Sequence, residues 1–115
     1  MLRGEIRLVN LDPAISGEAD KFRPAVVVSN DVLNNATRAL DRGVVTVVPI
    51  TSNIHKVYPF QVRLPRKVTG LSVDSKAQVE QIRAVAISRL GKRVGRLSAD
   101  LEEDLNVALK LHLAL

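Results

Sequence analysis

Arg23-Pro24-Ala25-Val26-Val27-Val28-Ser29-Asn30, echoed further along by Val47-Val48-Pro49-Ile50-Thr51-Ser52-Asn53, organises this chain. Each stretch is a short apolar run with polar residues at its ends, the pattern of a buried strand. Residues 25–28 are continuously apolar, and Pro24 suits the first residue of a strand, where its missing N–H need not break a ladder. Residues 44–50 are β-branched almost throughout, interrupted by Thr46 and ended by Pro49, which predicts a central strand. An arginine entering one strand and a threonine leaving another can meet at one rim of a small barrel. There a fixed positive charge beside a hydroxyl could hold a phosphate.

Working outward, residues 4–10 alternate, with Ile6 and Leu8 opposing Arg7 and Val9, which predicts a strand with one buried side ended by Leu11-Asp12-Pro13. Residues 14–22 are small, polar and charged and read as a long loop, the kind that carries function. Asn30 or Asp31 can cap a short helix running to about Thr37, and Asp41-Arg42-Gly43 supplies a turn. Residues 57–64 alternate again, with Tyr58 and Phe60 expected on the core face, and Pro59 argues for an edge or bulged position. Thr69-Gly70-Leu71-Ser72 reads as a turn, and residues 75–85 as one strand bulged near Gln81. A single helical turn at Ser88-Arg89-Leu90-Gly91 and a short strand over 94–97 follow. Ser98 then caps a helix from Ala99 to about Leu113, whose Leu101, Leu105, Ala108, Leu109 and His112 recur at helical spacing. Several short strands with one terminal helix predict a mainly β (α+β) fold, a small SH3-like antiparallel barrel with a C-terminal helix; a five-stranded OB-type barrel is the structural alternative.

The chain of 115 residues is long enough for one core, so a single domain over 1–115 is expected. Its 46% hydrophobic and 25% charged content is ordinary for a folded protein and argues against disorder. With no cysteine, a disulfide framework and a thiolate metal site are both excluded. The N-terminus reaches charge at Arg3 and lacks a signal-peptide apolar region, and no apolar stretch reaches membrane-spanning length, so no membrane partner is expected and the compartment reads as cytoplasmic. The net charge of +5 invites a polyanionic partner. Its distribution sharpens this: residues 54–97 hold ten basic side chains against two acidic ones, Asp74 and Glu80.

The two histidines, His55 and His112, lie far apart with no metal-ligand spacing around them, and neither a Walker loop nor GxGxxG occurs, so no metal or cofactor is expected. His55 could act as a base near Thr51, although a lone loop histidine is more often solvated. Arg23 could simply pair with Glu18 or Asp20. Yet Phe22-Arg23-Pro24 places a stacking ring, a bidentate phosphate donor and a rigid backbone in succession, apt for single-stranded nucleic acid. Thr51 can offer its hydroxyl at a rim, with Ser52, Asn53 and Lys56 in the loop after it. Gln81 and Arg83, two apart, share a strand face, where Gln81 can meet a base edge and Arg83 can pair with Glu80, Asp74 or a phosphate.

Taken in order, these residues resemble the MazF/PemK family of bacterial toxins. The resemblance is carried by Arg3-Gly4-Glu5-Ile6, where the family usually has Arg-Gly-Asp; by Leu11-Asp12-Pro13; by Glu18 ahead of Arg23-Pro24; by Val26-Val27-Val28-Ser29-Asn30-Asp31; by Pro49-Ile50-Thr51-Ser52; and by Glu80-Gln81-Ile82-Arg83 followed by Leu90. It departs where the usual Gly-Ser-Glu loop reads Ser16-Gly17-Glu18 and where Ala86 replaces a frequent Asp. The resemblance implies a dimerising SH3-like barrel that cleaves single-stranded RNA at short motifs without a metal. It places the catalytic arginine and threonine on Arg23 and Thr51 and the loop glutamate on Glu18, with Phe22, Ser52, Asn53, Lys56, Gln81 and Arg83 as expected RNA contacts.

RNA carries its own nucleophile, the 2′-hydroxyl, so cleavage needs in-line positioning, a base, an acid and charge stabilisation. Arg23 then serves as phosphate clamp and proton donor, Thr51 as a second phosphate contact and Glu18 as base. Expected partners are single-stranded RNA, an acidic, partly disordered antitoxin segment attracted to the same basic groove, and a second copy of the chain. The alternative is a non-catalytic toxin of the same fold that poisons a protein such as gyrase. Relatives of that kind act through a C-terminal aromatic motif, whereas this chain ends Leu113-Ala114-Leu115.

Overall fold

The computed structural model describes residues 1–11 and 22–115. Among them, strands β1 (Glu5–Asn10), β2 (Phe22–Val27), β3 (Val44–Thr51), β4 (Gln61–Leu64), β5 (Ser75–Gln78), β6 (Arg83–Ala86) and β7 (Leu90–Arg96) form one bent antiparallel sheet. Helix α1 (Asp31–Leu40) follows β2, a one-turn helix α2 (Arg66–Thr69) follows β4, and α3 (Ala99–Leu113) closes the chain. The strand order is β4-β5-β3-β2-β1-β7, with β6 also paired to β3. This is the barrel-like α+β architecture expected from the strand pattern.

The central role of β3 follows from its residues. Its even positions Val48 and Ile50 join a core of Ile6, Val26, Val62, Leu64, Ala77 and Val79, onto which α3 lays Leu105 and Ala108. Its odd positions Val45 and Val47 join a second core with Val9, Ala25 and Val85. A strand packed on both faces has no polar alternation to show, hence the unbroken β-branched run. Each such valine contributes about 1.5–3 kcal/mol on full burial. Pro49 does not end the strand. One edge of β3 pairs with β6 over Val44–Val47 and with β5 from Ile50, so Pro49 lies between the two ladders, where a missing N–H is tolerated.

Elsewhere the boundaries shift. β2 starts at Phe22, two residues before Pro24, because β1 pairs Asn10 with Phe22 and Val9 with Arg23. α1 continues to Leu40, ending where Asp41 adopts a left-handed conformation. Residues 57–60 are not strand, and Tyr58 is 40% exposed rather than in the core. The Gln61 amide donates to the Tyr58 carbonyl (2.8 Å), closing a turn around Pro59, while Tyr58 and Phe60 stack at 5.4 Å. The expected strand over 75–85 is split by a 3₁₀ turn at Val79–Gln81, which lets β5 and β6 address different halves of β3. A 3₁₀ turn also occupies Ile87–Arg89, and β7 begins directly after it. α3 starts at the Ser98 cap, whose hydroxyl accepts from the Leu101 amide (3.3 Å), but its stripe ends at Leu109 and His112 is exposed. No helix among the described residues is long and apolar enough to cross a membrane.

Candidate RNA-cleaving cleft

Register alone sets the site. β2 and β3 pair Val27 with Val47, Val26 with Val48 and Ala25 with Pro49. The ladder ends there, and Arg23 and Thr51 lie two residues beyond it on their strands, at the same rim. Thr51 pairs on its other side with Lys76 of β5, and Lys76 in turn with Arg63 of β4. Cross-strand partners share a face, so one rim row carries Thr51, Lys76 and Arg63, with Arg23 of the neighbouring strand β2 beside Thr51 in one cleft.

Arg23 and Thr51 line a cleft of about 220 Å³ together with Ser52, Leu71 and Ser72. Arg23 is exposed, and no carboxylate among the described residues lies within ion-pair distance of its guanidinium. The Thr51 hydroxyl oxygen accepts from the Asn53 amide (3.2 Å), which leaves its own proton available to donate. The Asn53 carboxamide oxygen accepts from the His55 amide (3.2 Å), a second local bond that shapes the loop. Lys76, 8% exposed, donates through Nζ to the Lys56 carbonyl (2.6 Å), and Lys56 places its own ammonium 4.7 Å from the Tyr58 ring centroid. The loop after Thr51 is therefore pinned at three points.

Of the residues singled out by sequence, Arg23, Thr51 and Ser52 meet in the cleft, and Asn53 and Lys56 hold the loop beside it. Phe22 is half-exposed next to Arg23, its ring edge against Gly91. Gln81 and Arg83 do not line this cleft. Arg83 pairs with Val47, four residues along β3 from Thr51, or about 13 Å at the usual strand rise. Arg83 pairs with neither Glu80 nor Asp74. The Glu80 carboxylate accepts from the Gln61 side chain (2.8 Å), and Asp74 meets Arg63 (3.4 Å) and the Arg66 amide (2.9 Å). Glu18 lies outside the described residues. Sequence reasoning passed over Lys76, whose neighbours Ser75, Ala77 and Gln78 give no signal of a buried lysine, and it passed over Leu71 and Ser72, whose place in the cleft depends on the tertiary fold.

A bent antiparallel barrel with a terminal helix is the architecture this chain shares with solved toxin structures. The chain belongs to the PemK-like, MazF-like toxins of type II toxin–antitoxin systems, whose family model matches residues 2–113. It is 60% identical over 115 residues to the endoribonuclease MazF9 of Mycobacterium tuberculosis, covering 100% of this chain and 98% of that protein. It is 30% identical over 114 residues to the endoribonuclease EndoA of Bacillus subtilis, covering 98% and 94% of the two chains. Among solved structures it is similar to the MazE–MazF crystal structure from Deinococcus radiodurans, with a TM-score of 0.79, 26% identity, and coverage of 100% and 96%.

Proposed function

We propose that this chain is a sequence-selective endoribonuclease toxin that cuts single-stranded RNA through the substrate's own 2′-hydroxyl. The observation that carries the reading is that Arg23 and Thr51, on the adjacent strands β2 and β3, line one cleft. A phosphodiester seated there meets a bidentate cation on one side and a hydroxyl donor on the other. Both are aimed at oxygens that gain negative charge as the fifth bond to phosphorus forms.

The step balances without a cofactor. The 2′-oxygen attacks the adjacent phosphorus as its proton passes to a base, the bond to the 5′-oxygen breaks, and that oxygen takes a proton. The products are a 2′,3′-cyclic phosphate and a 5′-hydroxyl. Arg23 neutralises the phosphorane and is placed to protonate the leaving oxygen, while Thr51 donates to a non-bridging oxygen. Glu18 supplies the base, following the family pattern. The bond from the Asn53 amide holds the Thr51 hydroxyl, and pairing with Val9 fixes the Arg23 backbone in β2, so both groups start close to the phosphate they meet.

In the cell the toxin acts in the cytoplasm, stopping growth by cutting RNA needed for translation. It works as a homodimer and is neutralised by a cognate antitoxin whose acidic segment occupies the basic groove. A long unstructured RNA incubated with the protein in EDTA tests the reading. Discrete fragments with 5′-hydroxyl and cyclic-phosphate ends are expected, whereas cleavage that needs a divalent ion or leaves 5′-phosphate ends would overturn the mechanism.

A further inference from the structure

A second and larger cavity, about 470 Å³, adjoins the cleft. The two share Pro24, Leu71 and Ser72, so they form one continuous groove running from β3 across β2 and β1 to β7. Its floor is apolar, from Leu8, Pro24, Leu71 and Val94, and its far wall carries Lys92 and Arg93.

Lys92 is aimed at this cavity for a specific reason, while Arg93, which also lines it, pairs with Arg7. On a regular strand, consecutive side chains point to opposite faces. The β1–β7 ladder pairs Arg7 with Arg93 and Val9 with Leu90, so Leu8 alone opposes both Gly91 and Lys92. This is a β-bulge, a device that re-aims a side chain next to a functional cleft. Gly91 permits it: a Cβ there would lie 3.0 Å from the Leu8 carbonyl oxygen. The opposite wall is equally built. Gly70 takes a left-handed conformation and brings the 70–72 turn against β7, where a Cβ on Gly95 would overlap the Thr69 carbonyl.

Resting on the endoribonuclease reading, we propose that this cavity is a nucleotide subsite flanking the scissile phosphate. One nucleoside packs on Leu8, Pro24, Leu71 and Val94, and the next phosphate along the strand is held by Lys92 and Arg93. An apolar, base-sized floor beside two cations is the footprint of one nucleotide. Its continuity with the Arg23–Thr51 cleft places that nucleotide on the same strand. An acidic peptide shares the charge complement but has no base to fill the floor.

The test uses an oligoribonucleotide with one mapped cut site, trimmed nucleotide by nucleotide from either end, with wild type, Lys92→Ala and Lys92→Ala/Arg93→Ala. Lys92 is exposed, so the single variant guards against loss of the 3.9 Å Arg93–Glu5 contact in the double variant. The variants are expected to lose about 10-fold in kcat/KM through KM, with a salt slope shallower by about 0.7 per lost phosphate contact. Wild type should show the same loss when one end of the oligonucleotide is trimmed, and the double variant should be indifferent to that trimming. Variants matching wild type in KM, salt slope and trimming response would overturn the subsite. So would variants that cut normally but escape inhibition by an acidic peptide, since the cavity would then belong to the peptide. A folded wild type that cuts no RNA would remove the endoribonuclease reading and, with it, this inference.

Discussion

Two arginines at different rims of the sheet show how one residue type is put to different uses. Arg3 is committed to structure: its amide donates to the Asp31 carboxylate (2.6 Å), its Nε to the Val28 carbonyl (2.9 Å) and its Nη2 to the Asn106 side chain (2.7 Å). It ties the N-terminus to the start of α1 and to α3. Arg23 stands at the end of β2, exposed, facing Thr51 across a cleft. A guanidinium whose donors are satisfied internally holds a fold together, and one whose donors face a cleft is available to an anion.

Substitutions can break that contrast, beginning with the largest effect. Arg23→Ala is expected to lower kcat/KM for RNA by about 100-fold or more, the worth of a charge-stabilising donor, with a thermal midpoint close to wild type. Arg23→Lys should recover only part of the loss, because an ammonium cannot grip two oxygens in a planar fork. Thr51→Val keeps the shape and removes the hydroxyl. It should cost about 10- to 100-fold in kcat/KM, matching one hydrogen bond to a charged group. Arg3→Ala should show the opposite profile, a loss of about 1–2 kcal/mol in denaturant unfolding with kcat/KM retained.

The smallest effect is read in pH. The Arg3 amide, followed by the Asn34 side chain, holds the Asp31 carboxyl below its ordinary value of 3.8. A carboxyl whose pKa is depressed on folding stabilises the fold above its unfolded value, and that contribution is lost as pH falls through the folded value. Wild type should therefore exceed Asp31→Asn slightly in stability at neutral pH, with the two converging below pH 3.8. A constant gap across acid pH would show that the Arg3 end is held by something other than this charge.

The sequence disclosed different parts of the molecule unequally, for physical reasons. Strand β3 and helix α3 were readable because burial leaves a periodic imprint, two-sided for Val45, Val47 and Val48 and one-sided for Leu105 and Ala108. The meeting of Arg23 and Thr51 in one cleft was readable because both sit at the ends of such runs. Residues 57–60 misled because aromatic alternation looks the same in a core strand and in a stacked surface pair such as Tyr58 and Phe60. Gln81 and Arg83 were expected to share one strand face, but Gln81 falls in the 3₁₀ turn and only Arg83 in β6, which pairs with the half of β3 that leads away from Thr51. The aim of Lys92 was invisible in one dimension, since a bulge is a property of two paired strands and leaves only Gly91 as its trace.

The most direct test of the central claim, that Arg23 and Thr51 grip one phosphate across the β2–β3 pair, is a double-mutant cycle. It compares kcat/KM for RNA in wild type, Arg23→Ala, Thr51→Val and the double variant. Groups acting on the same phosphate should be non-additive, with a coupling of about 0.5–3 kcal/mol and a double variant little worse than Arg23→Ala. Additivity to within about 0.3–0.5 kcal/mol would contradict it, showing two residues that work independently despite their shared rim.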